Sequence, residues 1–470
     1  MRSYAESALI SHSAAPDVLN LPAQQPLAAR LLPSGFYYGW AIVFACGALM
    51  FVSVGVGYYG LAVYLGPLQE LHGWSNSDVS LPTGMYFVFS GITAAWVGPR
   101  IDRQGAKRWM LPGLVLIIAA ACAVGQVQDL WQLFVAYIVL AIGSGMSAGV
   151  AVNATLTRWF VQRRAWAMAM ASTGVSLGGV VLSPLNGFLI EQFGLSVATP
   201  VMAGLILVIG LPIVLFVLVW DPRQMGLPQD GLRPAVRVAT NVARSAANQT
   251  RVWTVGKAAR TVPFWAIMLS FLIVLLAQTG FILHQTALLE ERLGSLTVAT
   301  TTLSILAFGS IVARLVVGRY FADRVDLRIL TVIMFVVQGT AALVVIRFEG
   351  AIMTYIAVLT FGFTIGNVYM LLSLLTSDVF GYVSFGAIYG MTSMATQMSS
   401  GIGPLLIGLL DDITGSYDIP LTLVAILTYA AILPIWFAKP PKADLVKAIN
   451  PLLSRSAPQR TTEPPGILSS

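Results

Sequence analysis

The chain alternates between apolar runs long enough to cross a lipid bilayer and short loops that hold most of its charge. A helix needs about 20 mostly apolar residues to span the hydrocarbon core. Because no water is available there, each run must satisfy its own backbone hydrogen bonds, which leaves the helix as the natural solution. Such runs fall at about 38–65, 79–98, 109–127, 131–157, 165–190 and 197–220, then at about 263–285, 297–318, 328–346, 352–375, 387–410 and 419–437. Composition supports a membrane setting: 57% of residues are hydrophobic and 10% charged, whereas a soluble domain carries about 25% charge. The expected fold is an all-α membrane protein with twelve transmembrane helices in two pseudo-symmetric six-helix bundles.

Loop charges set the expected orientation through the positive-inside rule. Alternate loops hold Arg100, Arg103, Lys107, Arg108, Arg158, Arg163, Arg164, Arg319, Arg324 and Arg328, with seven more basic residues between Arg223 and Arg260. The opposite loops hold Arg292 and Arg347 against nine acidic residues, among them Glu70, Asp129, Glu191, Asp411 and Asp418. Both termini are therefore expected in the cytoplasm, and the protein in the inner (plasma) membrane. Residues 1–36 read as a cytoplasmic tail rather than a cleaved signal, 37–220 and 261–438 as the two bundles, and 439–470 as a second tail. The basic segment 221–260 reads as a flexible or surface-lying linker.

The net charge of +7 belongs to this asymmetry and does not indicate nucleic acid. Cys46 and Cys122 lie inside apolar runs, and His12, His72 and His284 are scattered, so no metal or redox cofactor is expected. No phosphate-cradling G-x-x-x-x-G-K-[ST] run occurs. Gly174-Val-Ser176-Leu-Gly178 matches the spacing of a nucleophile elbow, which requires a strand–turn–helix setting. Here the run lies mid-helix and reads as close helix packing, so no enzymatic activity is expected.

The loop after the second span runs Gly98-Pro-Arg-Ile-Asp102-Arg103-Gln-Gly105-Ala-Lys107-Arg108, and the loop after the eighth holds Gly318, Arg319, Asp323 and Arg324. They lie about 220 residues apart on equivalent loops, the mark of an internal repeat whose halves move around a shared site. The first loop resembles the signature G-x-x-x-D-R-x-G-[RK]-[RK] of the major facilitator superfamily. The second is one residue longer and lacks the later glycine. The resemblance implies a secondary transporter working by alternating access, with Gly98, Asp102, Arg103, Gly105, Lys107, Arg108, Gly318, Asp323 and Arg324 as gating residues. Asp102 would pair with a neighbouring arginine while the inner gate is closed; the alternative is that these charges only fix topology and cap helices.

Tyr37-Tyr38-Gly39-Trp40, Gly73-Trp74-Ser75, Arg158-Trp159-Phe160 and Arg314 make the chain similar to the monocarboxylate-porter and oxalate/formate-antiporter group. This resemblance implies a small organic anion as cargo, often a monocarboxylate, with a proton or a counter-anion as coupling partner. Arg314 is the basic residue placed within an apolar run, and ionisable residues at depth mark function. Ala307, Ser310, Arg314 and Gly318 share one helix face, which points inward and favours anion binding by the guanidinium. Snorkelling to the inner surface or latch duty is the alternative. Tyr58, Tyr59, Gln278, Asn367, Tyr369 and Gln397 lie near mid-span as cavity-lining candidates, or as bonds between helices. Where the group often has an acid in the eighth span this chain has Ser310, and Gln397 stands where dianion carriers have a second cation, so one buried positive charge suits a monoanion. A monomer is expected. Efflux of amphipathic compounds and solute sensing are the alternative functions.

Overall fold

The computed structural model describes residues 26–30, 33, 36–74, 76–229, 253–293, 296–322, 324–347, 350–414 and 418–439. Among these residues twelve long helices follow one another: α1 (Tyr38–His72), α2 (Asn76–Gln104), α3 (Ala106–Val124), α4 (Leu130–Trp159), α5 (Arg164–Phe193), α6 (Leu195–Val217), α7 (Val262–Leu293), α8 (Leu296–Val316), α9 (Leu327–Arg347), α10 (Ala351–Phe380), α11 (Phe385–Thr414) and α12 (Asp418–Ile435). The narrow turn expected between the fourth and fifth spans falls at Phe160–Arg163.

Local chemistry sets the helix ends. Gly73 closes α1 at φ 69, its N–H bonding to the carbonyl of Gln69, and Asp129 opens α4 with a capping box to Gln132, which satisfies backbone groups a helix end leaves orphaned. Several helices are not regular throughout. α4 breaks at Ala148, and π-type turns occupy Gly178–Leu182 in α5, Ile206–Gly210 and Ile213–Val217 in α6, and Val317–Phe321 beyond α8.

In the first set of helices α1 packs on α5, α3 on α4 and α2 on α4; in the second α8 packs on α10, α9 on α10 and α12, and α7 on α11. The sets meet mainly where α2 faces α11 and α5 faces α8, with smaller contacts from α5 to α10 and from α4 to α11. Large apolar side chains such as Phe44, Trp131, Val208, Ile352 and Leu405 stay exposed on outer helix faces, a surface that lipid rather than water covers. Among the described residues nine of the helices are long and apolar enough to cross a membrane; α2 and α11, which make the largest contact between the two sets, fall outside that number.

The basic loops gather at one end of the helices. Lys107 Nζ donates to the Leu215 carbonyl at 2.7 Å and Tyr38 Oη to the Val217 carbonyl at 2.7 Å. The segment expected to be a flexible linker is docked at both described ends. Asp221 is buried and opens a 3-10 turn, Pro222–Met225, while buried Trp253 donates its backbone N–H to Ser384 Oγ at 2.9 Å and sets its ring edge-on to Phe380. The Asp221 carboxylate, paired with Arg158 and Arg223, holds the first end, and the Trp253 indole, which gains by leaving water, holds the second.

Candidate functional site

At the basic end α2 and α11 meet backbone to backbone. A Cβ on Gly98 would lie 2.0 Å from the Gly386 carbonyl oxygen, and one on Gly390 2.4 Å from the Ala94 carbonyl oxygen. Contact loosens further along: a Cβ on Gly91 would lie 3.1 Å from the Met394 backbone, and one on Gly401 3.7 Å from Phe87. Close approach at Gly98 carries Asp102, one helical turn on, to the start of α11. There its carboxylate accepts the N–H groups of Gly386 at 2.9 Å and Ala387 at 2.8 Å. A carboxylate facing the unpaired N–H groups of a helix start is favoured by both hydrogen bonding and the helix dipole.

The expected arginine partner is thus replaced by a helix N-terminus. Arg158 is nearby but donates to the backbone carbonyl of Asp102, at 3.3 Å. Its charge is met by Asp221 at 3.2 Å, with both side chains 2% exposed, and by the face of Trp220, 4.6 Å from the guanidinium carbon. Arg223 pairs with the same carboxylate at 2.6 Å. Burial pushes the Asp221 carboxyl up, but the bonds from Arg223 and the charges of Arg223 and Arg158 outweigh it and hold the group below the usual carboxylate range.

The remaining loop residues divide. Gly105 takes φ 86 and lies over the Trp220 ring, Lys107 reaches α6, and Arg103 and Arg108 are exposed. Gly318 repeats the role of Gly98 in the second set: a Cβ there would lie 2.4 Å from the Ala169 side chain and 3.1 Å from the Ala165 carbonyl oxygen of α5. Arg324 is exposed, and Asp323 lies outside the described residues. A further bond joins the sets at this end, from Arg164 to Ser377 Oγ at 3.0 Å.

Further along the helices, Arg314 is 5% exposed. Its Nη1 donates to the Ser172 carbonyl at 2.6 Å and to Ser176 Oγ at 3.0 Å, both on α5. It therefore crosses from one set of helices to the other instead of turning toward the end of α8. Gly366 of α10 lies against its Nε, which is buried without a hydrogen-bond partner. Tyr59 and Tyr369 lie near enough to feel the guanidinium charge. Among the described residues no carboxylate forms an ion pair with Arg314.

Residues 43–392 match the Major Facilitator Superfamily. The chain belongs to that superfamily. Over 194 residues it is 28% identical to the MFS-type transporter hasB of Aspergillus fumigatus, covering 40% of this chain and 42% of the relative. Over 168 residues it is 29% identical to the multidrug resistance protein MdtG of Dickeya zeae, covering 34% and 38%. The chain thus spans less than half the length of these relatives. The human organic anion transporter MFSD10 shares the fold at a TM-score of 0.67 and 15% identity, covering 87% of this chain and all of that one. The protein is a multi-pass membrane protein of the superfamily. Its relatives are MFS-type transporters and efflux proteins, and they do not single out the monocarboxylate and oxalate/formate group.

Around Arg314 the superfamily fold brings together some of the residues singled out by sequence and leaves others apart. Tyr58 and Tyr59 stand edge to face at 5.2 Å, and Phe87 meets Tyr58 at 5.8 Å. Tyr58 is 38% exposed yet close to Tyr369 and Tyr86, so it faces open space between helices. Gln397 lies at the α2–α11 contact, its Cβ beside Gly91. Asn367 is turned away: its amide donates to the Phe363 carbonyl at 2.9 Å and toward Met334 of α9. Gln278 is buried in α7 with its carbonyl oxygen unpartnered. His284 bonds the Pro404 carbonyl at 3.0 Å. Shallow grooves beside Ala119, Val135 and Val139, and beside Trp265, Leu269 and Phe437, lie on outer apolar faces away from these groups.

Sequence reasoning missed Ser172, Ser176, Arg158, Asp221 and Trp253. Ser176 was visible within its glycine-flanked run, whose spacing carries the explanation. Gly174 and Gly178 press on α1, where Cβ atoms would lie 2.0 Å from the Gly47 carbonyl oxygen and 2.7 Å from that of Phe51. Two residues along a helix turn the side chain by about 200°, so Ser176 faces away from α1 and toward Arg314.

Proposed function

We propose that the protein moves a small organic anion, a monocarboxylate in the simplest case, by alternating access, with Arg314 as the anchor for the carboxylate. The observation that carries this reading is a guanidinium buried between helices whose hydrogen bonds go to neutral oxygens alone. A buried charge without a counter-charge is costly, and a carboxylate arriving from solution supplies both the missing charge and acceptors in the plane of the fork. Tyr58, Tyr59 and Tyr369 would wall the cargo's apolar part. A single cation favours a monoanion over a dianion, and a proton or a counter-anion would supply the driving gradient.

Residues 37–220 and 261–438 would be the two moving bodies, joined by 221–260, with the basic loops and both termini on the cytoplasmic side of the inner (plasma) membrane. On that orientation the α2–α11 and α5–α8 contacts close the cytoplasmic end. Gly98, Gly318 and Asp102 act as the closing surfaces, while Arg103, Lys107, Arg108 and Arg324 form its charged rim. Tyr58 and the looser contact near Gly401 leave access from the other side.

Uptake of labelled pyruvate, acetate and L-lactate into proteoliposomes tests the reading. Arg314→Ala is expected to abolish uptake, by about 100-fold or more, because the anchor is worth about 3 kcal/mol. Arg314→Lys should retain part of it, keeping the charge without the fork. Uptake by Arg314→Ala at the wild-type rate would remove Arg314 from the site. A second reading, efflux of amphipathic compounds, draws support from the cluster of Tyr58, Tyr59, Tyr86 and Phe87 and from relatives named for multidrug resistance. Counterflow of a fluorescent amphipathic dye, unaffected by Arg314→Ala, would favour it.

A further inference from the structure

We infer that Ser176, together with the Ser172 carbonyl, is a stand-in for the cargo's carboxylate, holding Arg314 across the α5–α8 contact until an anion displaces it. The inference rests on the anion reading and adds to it a residue that sets affinity without touching the cargo. Three observations converge on it. Ser172 and Ser176 are four residues apart, so their oxygens share one face of α5, and both accept from the same nitrogen, Arg314 Nη1. Ser176 is 5% exposed and its hydroxyl has Arg314 as its bonding partner from the other set of helices. The glycines on either side of it press α5 onto α1, which fixes the hydroxyl on the opposite face.

Buried polar groups must be bonded or lose free energy. An empty site with Arg314 free of any acceptor would be strained in that sense, and Ser172 and Ser176 relieve the strain incompletely. Both oxygens are neutral, and Nε is still buried without a partner. A carboxylate offers two charged acceptors and can take Nε and a terminal nitrogen together. Cargo therefore competes with Ser176 for the guanidinium. Since Ser176 sits on α5 and Arg314 on α8, the exchange also breaks a tie between the two sets of helices. Binding is thereby linked to their freedom to move.

Removing the hydroxyl removes a competitor. In full-length protein in nanodiscs, titrated by calorimetry with sodium pyruvate, acetate, L-lactate and benzoate, Ser176→Ala should bind whichever anion the wild type binds roughly fivefold more tightly. Ser176→Thr, which keeps a hydroxyl, should bind as the wild type does. Without any anion, Ser176→Ala should lower the melting temperature in the wild-type background and leave it unchanged in Arg314→Ala, the signature of a direct tie between the two side chains. Weaker binding by Ser176→Ala would place the hydroxyl on the cargo and overturn the inference. Unchanged binding, or equal melting shifts in both backgrounds, would overturn it too while leaving the anion reading intact. A wild-type protein that binds none of the four anions would overturn both.

Discussion

The two places where the helix sets meet are built from opposite materials. At the basic end α2 and α11 touch through glycines with no side chain between them, and Asp102 closes the contact on backbone N–H groups. Around Arg314 the sets are separated by tyrosines, serines and a charge that lacks a counter-ion. Glycine contacts are specific because nothing in them can rearrange: a Cβ meets a main chain that cannot rotate away. A polar cluster with spare donors can exchange partners. One region is suited to open and shut as a unit, the other to accept something new.

The largest effect should come from filling the glycine contact. Gly98→Leu places a side chain where the Gly386 carbonyl now lies, and overpacking of that kind costs about 3 kcal/mol when neither side can yield. The closed basic end becomes the disfavoured state, and transport is expected to fall about 100-fold. Asn153 of α4 donates to Tyr389 Oη of α11 at 3.3 Å, between the two sets; with Cys46 and Cys122 replaced by serine, Asn153→Cys should be alkylated faster from the basic side in the Gly98→Leu background. Wild-type rates in both assays would dissolve the contrast between the regions.

A distinct effect, read in stability rather than in transport rate, belongs to the charge pair that braces the same end. Asp221→Ala leaves the Arg158 guanidinium buried with its countercharge gone, and breaking such a pair costs about 3 kcal/mol. The melting temperature should drop sharply, and the Arg158→Met/Asp221→Ala double variant should regain much of it. The pH dependence has a definite sign. Asp221 is held below the usual carboxylate range in the folded protein, so its contribution is complete above the ordinary value of about 3.9 and is lost as pH falls through the depressed value. The gap in melting temperature between the wild type and Asp221→Ala should therefore stay constant between about pH 5 and 8, with the wild type converging on Asp221→Ala at lower pH. A gap that persisted unchanged to pH 2 would show that the pair acts through shape rather than charge.

How much of this was legible in sequence follows from which residues meet which. Apolar runs announce helices because lipid rewards a whole run of side chains, and the boundaries of α4 and α5 fell within a few residues of expectation. Hydropathy is weaker in α2 and α11, whose faces meet each other, yet their apolar runs were still long enough to be read as spans. Gly98 and Gly318 were recognisable as a repeated pair because the chain states the motif twice. Asp102's true partner was not recognisable: backbone N–H groups at Gly386 and Ala387 carry no side-chain signature and lie 284 and 285 residues away. Arg158 and Asp221 each looked like ordinary loop charges, and only folding shows that the two exclude water together. The docked ends of the 221–260 segment were not announced by its composition, since Asp221 reads as a loop charge and a single tryptophan, Trp253, gives little sign of the pocket it fills.

The finest distinction between the two regions rests on Asp102. If its task is to hold the closed contact, a change there should act on the rate of opening and shutting, not on the affinity for cargo some distance away. Asp102→Asn keeps the size of the side chain and one acceptor oxygen. It removes the charge that favours the start of α11, and it turns an amide donor toward an N–H that can no longer be accepted. Charge at a helix start is worth about 1 kcal/mol, so the closed state should lose that much relative to the open one. Turnover in anion counterflow is expected to fall roughly fivefold, while the dissociation constant measured by calorimetry stays within about twofold. Asp102→Ala, which gives up both bonds, should slow turnover further without moving the constant. A dissociation constant that rose in step with the loss of turnover would mean that the glycine contact and the Arg314 cluster are a single element, since a change in one would then be felt in full by the other.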